Sequence, residues 1–153
     1  MPKPIKRSVA LTPLSREHHS GLLLSWKIRE GFKQNVALER IKRYTYWFWE
    51  HHLQAHFEFE ERYIFPILNK ENELIIQALQ EHKRLKQLFS ETAIIKQNLS
   101  SIEKELVSHI RFEERELFKE IECVATEHEL KMIEKEHSKN IIEEWEDQFW
   151  VTK

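Results

Sequence analysis

The sequence contains few of the residues that build turns, disulfides or membrane spans. Of its 153 residues, only two are Gly, four are Pro and one is Cys. So few turn formers argue against a many-stranded sandwich or barrel. A single cysteine excludes an intramolecular disulfide and a cysteine-ligated zinc or iron–sulfur site. No apolar run is long enough to span a membrane and no export signal begins the chain, so we expect a cytoplasmic protein.

The charges are abundant but balanced. Lys and Arg number 24 against 26 Asp and Glu, which gives a formal net charge of −2. A chain this close to neutral has no overall field that would attract nucleic acid or an anionic membrane, so we expect neither as a partner. An apolar fraction of 41% is enough for a core, and the length predicts one domain spanning residues 1–153. The unusual count is the nine histidines.

The spacing of apolar residues predicts five helices. The first begins at Thr12 and Pro13 and ends near Gly31, and the second runs from about residue 37 to Pro66. A third is expected over residues 73–97, a fourth after a capping box at Ser100, and a C-terminal helix over about 126–150. Four long helices with short connections predict an all-α, up-down-up-down four-helix bundle over about residues 12–122, with the C-terminal helix added to it.

Ionisable residues interrupt the apolar stripe of each long helix. They stand where three- and four-residue steps would continue the inner face, at His18, His56, Glu60, His82, His109 and Glu113. Such groups are costly to bury unless they are paired or bind metal. We prefer His18 to His19 because Leu14 and Leu22 flank it at four-residue steps. His52 is either an ordinary half-buried histidine or a further member of the site.

Two of these pairs belong to an internal repeat. The segments HFEFEERYIF (residues 56–65) and HIRFEERELF (residues 109–118) share His, Phe, two Glu, Arg and Phe at the same offsets. Each segment follows a helix that carries a Glu-His pair, at residues 17–18 and 81–82. The repeat predicts two helical hairpins related by a pseudo-twofold axis, and with them a symmetric two-metal site.

The donor set indicates which metal chemistry fits. Four neutral imidazoles and two bridging carboxylates suit two iron ions, with coordination positions left for water, hydroxide, dioxygen or nitric oxide. The Glu-x-x-His pattern of ferritin-like oxidases occurs only at residues 134–137, and the zincin pattern is absent. With fewer carboxylates than a di-iron oxidase, the site favours reversible ligand binding over catalysis.

Several neighbouring residues are interpreted as structural. Glu61 and Glu114 follow the proposed bridges and are expected to turn away from the site. Cys123 is interpreted as a structural thiol. The aromatic tail at residues 145–150 is expected either to cover the core or to contact a second copy in a homodimer.

The chain resembles the hemerythrin-like, HHE cation-binding family over about residues 12–122. The resemblance rests on the Glu-His pairs at 17–18 and 81–82 and on the His-x-x-x-Glu motifs at 56–60 and 109–113. It implies a non-haem di-iron centre with two bridging glutamates and an oxo or hydroxo bridge. It also implies binding or sensing of dioxygen or nitric oxide. The terminal ligands would be His18, His56, His82 and His109, and the bridges Glu60 and Glu113.

Two departures separate the chain from classical oxygen-carrying hemerythrins. Lys86 stands where those proteins have a second histidine on the third helix, so one iron is expected to lack a ligand. The fourth-helix motif ends in Glu113 rather than in an aspartate one residue later. The alternatives are a di-iron enzyme that reduces peroxide or nitric oxide, and an iron donor for iron–sulfur cluster repair. A metal-free interaction module would require the histidines to face solvent.

Overall fold

The computed structural model describes residues 6–137 and 145–151, and within them every regular element is a helix. Helix α1 spans Thr12–Lys33, α3 spans Glu73–Ser90 and α5 spans Glu127–Glu136. Between them lie two longer helices, α2 over residues 38–67 and α4 over residues 95–124. The all-helical prediction is therefore confirmed.

Both long helices change their hydrogen-bonding geometry at the repeat. In α2, the π-helical turn Glu60–Ile64 follows the α-helical segment Gln54–Phe59, and a further π-helical turn, Trp49–Leu53, precedes that segment. In α4, the π-helical turn Glu113–Leu117 follows Ile95–Phe112. A π turn bonds residue i to residue i+5, so it shifts the direction of the side chains around it. The same glutamate position of the repeat thus begins a π turn in both helices.

The predicted boundary between the third and fourth helices is wrong. Helix α3 ends at Ser90 rather than near residue 97, and Ser100 lies inside α4 instead of capping it. Contacts at the helix end explain the early stop. The Asn98 side-chain amide donates to the Leu88 carbonyl oxygen at 2.7 Å, and Lys42 donates to the Asn98 side-chain oxygen at 2.7 Å. The Asn98 amide thus satisfies a carbonyl oxygen that a longer helix would have bonded itself, and Lys42 holds Asn98 in this position.

The C-terminal helix begins as predicted and ends early. Thr126 and Glu129 form a reciprocal capping box at the start of α5. The helix ends at Glu136 rather than near 150. Residues 145–151 are not helical, and residues 138–144 lie outside the described part of the chain. Rings of Trp145, Phe149 and Trp150 surround Tyr44, with centroids 4.9 to 5.9 Å away. The aromatic tail therefore covers one end of the core.

The helices pack so that the middle of the molecule separates two apolar clusters. Helix α1 lies against α4, α3 also lies against α4, and α2 contacts α1, α3 and α4. One buried cluster contains Leu24 and Leu106, and the other contains Leu14 and Leu117. His18 lies between Leu14 and Leu24 along α1, so the ionisable residues lie between the clusters. Across the described residues, no helix combines the length and apolar character needed to cross a membrane.

Candidate metal centre

Four helices bring all six predicted site residues into one buried cluster. Their exposed fractions are 4% or less, and both glutamates are completely buried. Neighbouring histidines differ: His19 and His51 are exposed, and His52 is half-buried against the rings of Trp47 and Phe48. The clustered residues are His18 from α1, His56 and Glu60 from α2, His82 from α3, and His109 and Glu113 from α4.

Each glutamate approaches histidines from both copies of the repeat. Glu60 Oε1 lies 3.3 Å from His56 Nε2 and 3.2 Å from His82 Nε2. Glu113 Oε1 lies 3.1 Å from His18 Nε2 and 3.0 Å from His109 Nε2. Two sets of four potential ligands result, each with its ligand atoms within 4.8 Å of one another. Both sets contain Glu60 and Glu113; one adds His18 and His56, the other His82 and His109.

A second layer of carboxylates lies behind the four histidines. Each Nδ1 contacts a carboxylate from another helix at 2.7 to 2.9 Å. An ionised carboxylate only accepts hydrogen bonds, so Nδ1 donates and Nε2 is directed towards the centre. The pairs are His18 with Glu114, His56 with Glu17, His82 with Glu61, and His109 with Glu81.

The expectation that Glu61 and Glu114 turn away is therefore wrong. Each follows a glutamate that begins a π turn. In an α-helix, successive side chains differ by about 100°, which would direct the second glutamate away from the first. Within these π turns, Glu61 and Glu114 each extend to the Nδ1 of a histidine on another helix, although the Glu61 side chain stays 44% exposed. The sequence signal was present, because Glu17 and Glu81, like Glu61 and Glu114, occupy equivalent positions in the repeat.

Several buried polar atoms at the centre have no hydrogen-bond partner within the part of the chain that the structure describes. A buried donor or acceptor left unpaired costs about 1–3 kcal/mol. With Nδ1 protonated, a neutral imidazole Nε2 and a carboxylate oxygen are both acceptors, so they cannot satisfy one another. A cation can satisfy both, and imidazole nitrogen with carboxylate oxygen suits iron and similar metals. The atoms are Nε2 of His56, His82 and His109, both carboxylate oxygens of Glu60, and Oε2 of Glu113.

The pKa values show that the site attracts positive charge. Burial by itself lowers the pKa of His56, but the charge of Glu60 and hydrogen bonds outweigh it and raise the pKa to about 9. Burial opposes the same change at His109, where Glu113 raises the pKa to about 9. Burial raises the pKa of Glu60, yet its histidine neighbours hold it well below the usual value. Protons therefore supply, in the metal-free protein, the positive charge that a metal would supply on binding.

A family model supports cation binding at this site independently of the interatomic distances. The model described as the hemerythrin HHE cation binding domain matches residues 14–121. The chain belongs to this family. The matched range includes all six clustered residues and explains their burial, because the family's domain binds cations. Comparisons with curated proteins and with solved structures found no match.

Aromatic rings pack on the histidines of this hemerythrin-family site. Phe57 stacks on His82 with centroids 3.8 Å apart and ring planes 6° apart, and Phe118 stacks on His18 at 5.2 Å. These rings shield the imidazoles from water and fix their planes.

Cys123 is exposed, so its interpretation as a structural thiol is wrong.

Two cavities reach the site from different sides. A cavity of about 800 Å³ is lined by His52, His56 and His137, among others. A smaller one of about 300 Å³ is lined by His82 and Lys86. Lys86 is exposed and lies one helical turn after His82, so this position adds no donor to the two ligand sets.

Proposed function

We propose that the protein binds two iron ions at this site and uses them to bind or sense dioxygen or nitric oxide. The observation that carries the proposal is the sharing of Glu60 and Glu113 between two histidine pairs in a buried cluster. Iron at such a centre would supply a redox-active metal with open coordination positions for a diatomic ligand. The protein would work in the cytoplasm and would need neither nucleic acid nor a membrane as partner.

Each group of residues has a distinct role in this proposal. His18, His56, His82 and His109 are the terminal ligands, and Glu60 and Glu113 are the bridges. The carboxylates behind the histidines fix which nitrogen faces the metal and increase its basicity. We further propose that α1 to α4 form an up-down-up-down bundle, since this arrangement places one inner face of each helix around a shared centre.

Anaerobic reconstitution tests the proposal. The protein is stripped with a chelator, loaded with ferrous iron, and its bound metal counted before and after exposure to dioxygen or nitric oxide. We expect about two irons per chain and a ligand-dependent absorption spectrum. Fewer than about one tightly bound metal per chain would contradict it. His18→Ala should lower the metal count, whereas the matched variant His19→Ala should leave it unchanged because His19 is exposed.

A second candidate function is catalytic: reduction of peroxide or nitric oxide, or donation of iron for cluster repair. The observation that favours it is the absence of a ligand at Lys86 beside a cavity that reaches His82, which leaves room for a substrate at that side. A stable spectrum with bound ligand would support a carrier or sensor. Rapid turnover of peroxide or nitric oxide, or iron transfer to an apo-cluster protein, would support the second candidate.

A further inference from the structure

We propose that two residues outside the range matched by the family model stabilise the ligands of one of the two metal positions. As a result, the two metals are released at different rates. The first position is the one between His18 and His56, and the second lies between His82 and His109. Arg7 and His137 hold the carboxylates behind the first position, which should therefore release its metal more slowly. The inference rests on the proposed two-metal site and concerns how firmly each half is held.

Arg7 precedes the matched residues and fixes the surroundings of His18. Its side chain is only 6% exposed, and Nη2 lies 3.1 Å from Glu114 Oε2 and also donates to the Glu114 carbonyl oxygen. Its Nη1 donates to Glu122 at 2.5 Å. The guanidinium also lies 5.7 Å from the centroid of Phe118, the ring that stacks on His18. Arg7 thus holds both the carboxylate and the ring that contact His18.

His137 follows the matched residues and contacts the carboxylate that bonds His56. Its Nε2 lies 3.2 Å from Glu17 Oε1, the same oxygen that accepts the hydrogen bond from His56 Nδ1 at 2.8 Å. The side chain is 9% exposed, and its ring packs edge-on against Phe59 at 5.0 Å. The C-terminal helix α5, which ends beside His137, therefore contributes a positioning residue to the centre.

The carboxylates behind the second position are held less firmly. The side chain of Glu61 is 44% exposed, and within the described part of the chain its hydrogen-bond and ion-pair partner is His82 alone. Glu81 is 28% exposed and accepts, besides the His109 bond, one from the neutral amide of Gln77 at 2.9 Å. Glu17 and Glu114 are 20% and 21% exposed. The contact of Arg7 with Glu114 joins two ionised groups, whereas in the bond from Gln77 to Glu81 only the acceptor is ionised.

Solvent access alone would give the opposite order. The cavity that reaches His56 measures about 800 Å³, whereas the one that reaches His82 measures about 300 Å³. If the larger opening governed release, the first position would lose its metal sooner. The contacts of Arg7 and His137 therefore predict slow metal release from the first position. Solvent access predicts slow metal release from the second.

The experiment measures metal release from the full chain loaded anaerobically with ferrous iron and mixed with an excess of a chromogenic chelator. We expect two phases of about one metal each. Arg7→Gln and His137→Phe should accelerate only the slow phase, by about 10-fold, the lower end of the effect of outer-layer partners on metal sites. Glu61→Gln should accelerate only the fast phase.

Matched variants distinguish these effects from a general loss of protein stability. Arg29→Gln removes a surface ion pair with Glu103, and His128→Phe changes an exposed histidine of α5; both should leave the two phases unchanged. If Arg7→Gln fails to fold by circular dichroism, Glu114→Gln tests the same link to His18. A single release phase, or acceleration of the fast phase by Arg7→Gln or Glu114→Gln, would overturn the inference alone. Failure of the unaltered chain to bind two metals would overturn the proposed function and this inference with it.

Discussion

Removing the metal should lower the thermal stability of the protein. The structure sets a lower limit on the size of this effect. Among the described residues, six buried polar atoms at the centre have no hydrogen-bond partner. In the metal-free protein, the pKa values of His56, His82 and His109 are raised, to about 9 for His56 and His109, so their protonated Nε2 atoms donate to the Oε1 atoms of Glu60 and Glu113 at 3.0 to 3.3 Å. Two carboxylate oxygens remain, Oε2 of Glu60 and Oε2 of Glu113. At the lowest cost of about 1 kcal/mol each, they destabilise the metal-free protein by about 2 kcal/mol.

This free energy converts to a measurable shift in melting temperature. For a chain of this length, 1 kcal/mol shifts the Tm by about 2–4 °C, so loading should raise the Tm by about 4–8 °C. The assay is thermal unfolding at pH 7, followed by circular dichroism, with chelator and after reconstitution. Glu60→Gln should lose most of this increment, whereas His19→Ala should retain it. A Tm that moves by less than about 2 °C, in a sample with two metals per chain, would refute the reasoning.

Three further predictions concern the bridges, a helix contact and a buried tyrosine. Glu60→Ala or Glu113→Ala should lose the two-metal centre but keep its helicity; two coupled irons in either variant would show the bridge assignment to be wrong. Gly31→Ala would place Cβ 2.6 Å from Ile41 Cδ1, and overpacking of about 1–3 kcal/mol should exceed the helix-propensity gain of about 1 kcal/mol, lowering stability in urea. Burial raises the pKa of Tyr44 to about 12, so its contribution to stability is present below pH about 10 and lost as pH rises towards 12. Alkaline unfolding of Tyr44→Phe should lack that loss.

The predicted site came from interruptions in otherwise regular patterns. His18 was preferred to His19 because leucines flank it at helical spacing, and the structure places His18 inside and His19 outside. The repeat paired His56 with Glu60 and His109 with Glu113 in the same way. Inward direction on a helix follows from local periodicity, so these residues were accessible to sequence analysis.

The second layer and the helix boundaries depended on effects that local periodicity does not contain. Glu61 and Glu114 lie in π turns and reach histidines on other helices, and no simple spacing rule predicts those turns. Similarly, α3 ends at Ser90 because Asn98, on the following helix, bonds the carbonyl oxygen of Leu88. At the end of α3, a bond made from another helix outweighed the local preference.

The amino-acid sequence by itself determined the helical class, the repeat and the six ionisable residues that meet at the centre. It did so because helix periodicity and repeated motifs are local properties of a chain. The tertiary structure decided which carboxylate supports which histidine, because those partners come from different helices. It also connected Arg7 to Glu114 and His137 to Glu17 across separations of 107 and 120 residues. Only folding brings such distant side chains within hydrogen-bond distance, and these contacts make the two halves of a repeated sequence physically unequal.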